Sequence, residues 1–336
     1  FFAITLFFGY NLSGVKFGHD LDDFFDKDEK VYQFNNQFLE KFETDSSYSV
    51  LLGIKNTSEI DYAFIKKIDS VSQKISETKQ VNESYSIANQ ELVLFSSVGV
   101  VPYNILDLST DSSFSTSFSF LDSIPDIKSK FISKNNQSTV LVLDLEKKLP
   151  IDSLLVLKTE IEQILNSFEL TNTYFINSDY TNYLITEKIK KDSLKLVVIA
   201  FVLIIIILLY FFRSWNGIWV PFTIVVGAVI WIMGTIATFG IYLNVLTIAI
   251  PVIVGVISLS DVIHIISRYS EEKSGTKFDK ITATKRGILK AIILTTVTTS
   301  VGFLTLSNSN IQVFVEFSLF TAAGVFYAFF LAYFLL

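Results

Sequence analysis

Residues 251–269 read PVIVGVISLSDVIHIISRY, and the reading of this stretch decides the fold. Asp261 is the only charged residue from Trp215 to Ile266, in a run that is otherwise apolar or weakly polar and long enough to cross a bilayer. Holding a carboxylate in lipid costs a few kcal/mol or more, so such a residue is expected to face a protein interior and to handle protons, ions or substrate. His264 lies three residues on and shares its helix face, with Arg268 one turn further. Asp261 and His264 are therefore read as a proton relay, set about seven residues, or roughly 10 Å, inside one end of a helix over 242–267.

The rest of the chain supports a membrane setting. Half of its 336 residues are hydrophobic, and the mean hydropathy is +0.48. A bilayer core of roughly 30 Å takes about 20 helical residues, and five segments qualify: 195–212, 217–239, 242–267, 287–306 and 311–336. The second and third form one uncharged run, split at Phe239-Gly240-Ile241-Tyr242-Leu243-Asn244, where Gly, Tyr and Asn suit an interfacial turn. The opening FFAITLFFGYNL is too short to span. It is read, with residues 1–14, as the outer end of a first transmembrane helix that begins earlier. The chain starts without Met and stops within an apolar run at Leu336, and is expected to be a piece of a longer protein.

Charge divides the chain. Residues 1–193 carry 18 Lys and 28 Asp+Glu, whereas residues 194–336 carry 9 Lys+Arg and 5 Asp+Glu. Nucleic acid is an unlikely partner for either half. Arg213, Arg268 and Arg286 fall on one side, and residues 268–290 hold seven Lys+Arg against three acids, so the loop 268–286 is expected to be cytoplasmic. Its basic amphipathic character suits anionic headgroups.

Residues 15–193 are then an extracytoplasmic domain. Apolar spacing predicts helices over 28–43, 58–77 and 151–169. Strands are expected at 48–54, at 173–177, and in a hairpin running from Lys130-FIS through Asn135-Asn136 to Thr139-VLVLDL. The stretch 78–120 shows no clear period. Helices alternating with strands imply an α/β or α+β domain.

The residues disfavour enzymatic chemistry. There is no cysteine, and His19 and His264 are the only histidines, which leaves few ligands for a metal. No H-E-x-x-H or P-loop occurs, and Gly255-Val-Ile-Ser258 lacks the second glycine of a nucleophile elbow. No cofactor is expected. On the helix 287–306, Thr295, Thr298, Thr299 and Gly302 lie within one arc of about 100°, so their hydroxyls are expected to support Asp261 from across a helix interface. Ala322-Ala323-Gly324 reads as helix packing, and Glu316 as an interfacial carboxylate.

Four segments together resemble the RND superfamily of exporters, in its MMPL-like and hydrophobe/amphiphile branch. They are Asp20-LDDFFDKDEKVYQFNNQFLEKFETD, Gly255-VISLSDVIHIISRY, Ile288-LKAIILTTVTTSVGFLTL and Phe314-VEFSLFTAAGVFYAF. The resemblance implies two six-helix repeats, with this chain as the first. It also implies a porter-like outer domain of ferredoxin-like βαβ units on a membrane α-helical bundle. The function implied is proton-driven export of a hydrophobic or amphiphilic small molecule or lipid, from a bacterial inner (cytoplasmic) membrane with 15–193 periplasmic or extracellular. Asp261 matches one position of the family's fourth-helix acidic pair; Ser260 stands where many members carry another Asp, so that pair is not intact here. Helices two to six also resemble sterol-sensing domains. The expected partners are the substrate, the second repeat and a homo-oligomer; the rival readings are a lipid sensor or scaffold and a SecD/SecF-like translocation accessory.

Overall fold

The structure, a computed structural model, describes residues 1–18, 21–42, 48–96, 99–212, 215–272 and 276–335. The expectations for His19, Arg213 and Leu336 therefore fall outside the described residues. In chain order the elements are α1 (Phe2–Asn11), β1 (Lys16–Phe17), α2 (Lys30–Phe42), β2 (Ser49–Lys55), α3 (Tyr62–Ser76), β3 (Val81–Tyr85), β4 (Glu91–Ser96), β5 (Gly99–Asn104), α4 (Asp111–Phe120) and α5 (Pro125–Phe131). They continue with β6 (Ser138–Leu145), α6 (Ile151–Ser167), β7 (Thr173–Ile176), α7 (Ser178–Phe212), α8 (Trp215–Thr238), β8 (Tyr242–Leu243), α9 (Ile250–Glu271), α10 (Lys277–Leu304) and α11 (Gln312–Leu335). The chain divides into two compact units, residues 36–183 and residues 1–35 with 184–336.

In the unit 36–183 a four-stranded sheet runs in the order β3-β6-β2-β7, with every neighbouring pair antiparallel. α3 joins β2 to β3 and α6 joins β6 to β7, so two β-α-β crossovers interleave in one sheet, a split βαβ arrangement. Along β6 the side chains alternate, burying Thr139, Leu141, Leu143 and Leu145 on one face. The apolar stripes of α3 (Phe64, Ile68, Val71, Ile75) and α6 (Leu154, Leu157, Ile161, Leu165) join the same core.

The hairpin expected from Lys130 is a correction. Lys130 and Phe131 close α5, which begins with Pro125 in its first turn, and only Ile132 bridges to Thr139. The physical reason is that α5 carries the chain as helix through Phe131, so that only Ile132 is left to reach β6, at Thr139 on the edge that β3 leaves open beyond Val142. Asn136 makes the tight turn instead, at φ 51°, a left-handed conformation that Asn tolerates. The unassigned stretch 78–120 holds β3, the β4-β5 hairpin and α4. At the start of α3 the Asp61 carboxylate accepts from the Phe64 backbone N–H at 2.8 Å. Asp61→Ala is expected to cost about 1 kcal/mol and to speed amide exchange in the first turn of α3; unchanged exchange there would show the cap to be unimportant.

In the second unit, the described residues hold five helices long and apolar enough to cross a membrane, α7 to α11. α1, at about 15 Å, is too short to cross alone and lies against α8. There the Trp231 indole donates to Thr5 Oγ1 at 2.9 Å and packs with the rings of Phe1, Phe8 and Tyr327. The uncharged run breaks where the interfacial turn is expected. Gly240 takes φ 69°, and its N–H bonds to Ala237 O while that of Ile241 bonds to Ile236 O, closing α8 with a Schellman motif. β8 follows and pairs in parallel with β1. Asn244 Oδ1 then accepts from the backbone of Leu246 and Thr247, preparing the turn into α9.

Three boundaries differ from expectation. Residues 242–249 are a short strand, a turn and one 3-10 turn (Thr247–Ala249); the helix expected over 242–267 is α9, which starts at Ile250 with Pro251 in its first turn and runs on to Glu271. The helix expected from 287 starts ten residues earlier, at Lys277, where Thr276 and Asp279 form a reciprocal capping box, so most of the loop 268–286 is helical. The span expected from 195 belongs to a helix that already begins at Ser178, because the polar residues before 195 break the hydropathy and not the helix.

Candidate functional site

The site is built from α9, α10 and α11, which pack pairwise. α9 turns Val254, Ser258, Val262 and Ile265 inward, and Asp261 sits at the margin of that face with 7 % of its surface exposed. The helix bounds place Asp261 near the middle of α9, about 15 Å from either end, because α9 begins later than expected and runs on past residue 267. Close approach of the helices comes from small residues. A Cβ on Gly324 would lie 2.3 Å from Val254 Cγ2, so α11 passes α9 at contact distance only because that position carries no side chain.

Among the described residues the Asp261 carboxylate makes no hydrogen bond, and its Oδ2 is fully buried. Ser258 Oγ on α9, Thr296 Oγ1 and Ser300 Oγ on α10 and Thr321 Oγ1 on α11 are likewise buried without a partner. Ser258, Thr296 and Thr321 each lie about eight or nine residues, roughly 12–14 Å, from the helix ends nearest the Schellman turn. Asp261 lies one turn deeper. Buried polar groups are ordinarily satisfied; among the described residues, six on these three contacting helices are not, the sixth being Thr284 Oγ1 nearer the start of α10.

The expected site residues separate in the structure. His264 and Ser260 are exposed, and with Val256 and Ser267 they line one outward stripe of α9. Thr295 and Thr298 are also exposed. Their hydroxyls bond back to their own helix, Thr295 to Ile292 O at 2.9 Å and Thr298 to Leu294 O at 2.8 Å. Thr299 is half-buried, and an added Cβ at Gly302 would meet nothing within 4 Å. The face that α10 buries is instead Ile292, Thr296 and Ser300, about 100° round the helix. That i, i+4, i+8 series was present in the sequence, but the denser Thr-Gly arc beside it drew the reading. Glu316 is half-buried and accepts from Gln312 Nε2 at 2.9 Å.

Five helices long and apolar enough to cross a membrane, one of them burying a carboxyl near its middle, define a multi-pass membrane protein. The profile of the MMPL family matches residues 26–336, and the chain belongs to that family. Membership points to a membrane transporter of the RND type. A comparison with curated proteins finds no match.

Proposed function

We propose that this chain is the first six-helix repeat of an exporter that uses the proton gradient to move a hydrophobic or amphiphilic molecule, with Asp261 as the residue that gains and loses the proton. One observation carries the reading: a carboxyl at the centre of α9 with no hydrogen-bond partner among the described residues, close in depth to the unmet hydroxyls of Ser258, Thr296 and Thr321. Such an arrangement has little structural use, because a buried polar group left unpaired destabilises the fold by about 1–3 kcal/mol. Ser260 and His264 extend the same depth to the outside of the bundle. An imidazole turned to acyl chains is costly, which supports a second repeat covering this stripe and completing the relay. Thr295 and Thr298 on α10, exposed at similar depth, support the same cover.

The unit 36–183 is read as the porter-like domain that handles substrate. Between β5 and α4 it carries a cleft of about 490 Å³, lined by Tyr103 and Phe120 and by the hydroxyls of Ser113 and Thr116, within the size range of small-molecule sites. Asp107 lies at the same cleft, and hydrogen bonds from Ser109 hold its carboxyl below the usual carboxylate range. Rings beside hydroxyls and a carboxylate suit an amphiphile. The test is full-length protein in vesicles with an imposed pH gradient, following a fluorescent lipid analogue. Gradient-dependent accumulation, abolished by a protonophore, is expected, and His264→Ala should weaken it or shift its pH dependence. Accumulation indifferent to the gradient would reject proton coupling.

A further inference from the structure

We propose that the cleft between the end of α9 and the start of α10 is a binding site for an anionic phospholipid of the leaflet on that side. The cleft measures about 190 Å³ and is walled by Ile265, Ile266 and Tyr269 of α9 and by Ile281, Thr284 and Lys285 of α10. Its lining is apolar apart from the Thr284 hydroxyl, the Tyr269 side chain and the ammonium at its rim, and its volume suits a segment of acyl chain better than a compact polar ligand. Ile281 is 37 % exposed at the mouth, whereas Ile265 and Thr284 are buried at the floor.

The charge around this cleft identifies the headgroup. Glu271 and Glu272 both pair with Arg268, at 2.9 Å and 3.0 Å. Asp279 is committed to the cap of α10 through Thr276. With these three carboxylates engaged, Lys277, Lys280, Lys285, Arg286 and Lys290 form no ion pair among the described residues. Lys285 is half-buried, and its Nζ lies 5.1 Å from the centroid of the Tyr333 ring on α11, which holds the ammonium in place without neutralising it. A fixed cation at the rim of an apolar cleft, at a membrane-facing helix end, matches a phosphate attached to acyl chains. The proposal depends on the membrane setting alone and is independent of proton coupling or export.

The experiment is native mass spectrometry of the full-length protein in detergent with dioleoyl phosphatidylglycerol or dioleoyl phosphatidylcholine. Wild type is expected to retain the anionic lipid more tightly, by about fivefold for one basic side chain near the surface. Lys285→Gln should remove most of that preference, and Ile281→Trp should lower retention by filling the cleft. Lys290→Gln changes the net charge by the same amount and should leave the preference largely intact. Equal retention of the two lipids, or an equal loss in Lys285→Gln and Lys290→Gln, would overturn the site in favour of an unspecific basic surface. If Ile281→Trp fails to fold, the comparison of the two lysine variants still decides.

Discussion

Replacing Asp261 with Asn in the full-length protein is expected to reduce export to background while leaving expression and folding near normal. The substitution keeps the size of a side chain that is 7 % exposed at the centre of α9, and it breaks no hydrogen bond to the described residues. An amide cannot titrate, so a cycle that requires protonation and release at this position stops. The assay is transport of the lipid analogue in vesicles under an imposed pH gradient, with protein amount and thermal midpoint measured alongside. Undiminished export by Asp261→Asn would exclude it as the coupling residue and leave a packing role or a relay carried elsewhere. A lipid sensor or scaffold would also keep its activity in this variant, so the same result separates those readings from the exporter.

Gly234→Leu is expected to produce the largest structural effect. A Cβ at this position in α8 would lie 2.5 Å from Phe8 Cβ and 2.6 Å from Phe8 O, and the second of these is backbone that no rotamer change can move. α1 must therefore shift away from α8. That shift strains the Trp231 bond to Thr5 and the ring packing around it. The cost is expected at about 3 kcal/mol, the upper end of the usual range for overpacking, read as a lower thermal midpoint and faster amide exchange in α1. Gly9→Ala serves as the control, because an added Cβ there meets nothing within 4 Å. Unchanged protection of α1 in Gly234→Leu would show that the helix is not held by this contact.

The sequence by itself determined the membrane class, the five spanning segments and the singular position of Asp261. Each depends on hydropathy summed along the chain, and a bilayer imposes one length on any apolar helix. It also located the break between α8 and α9, since Gly240 and Asn244 carry their turn preferences wherever the chain puts them. The ends of α9 and α10 were legible in principle through Pro251 and the Thr276-Asp279 cap, local signals outweighed by the longer hydropathy pattern. Only the tertiary structure decided which strands pair. The segment around Phe131 could have been a strand, but in the fold it closes α5 with Phe131 buried, and only Ile132 bridges to β6. Only the packing of three helices showed that α10 buries Thr296 and Ser300 while Thr295 and Thr298 face outward. A helix rich in hydroxyls offers several polar faces of similar composition, and the face that turns inward is set by the shapes of the neighbouring helices, information that its own sequence does not contain.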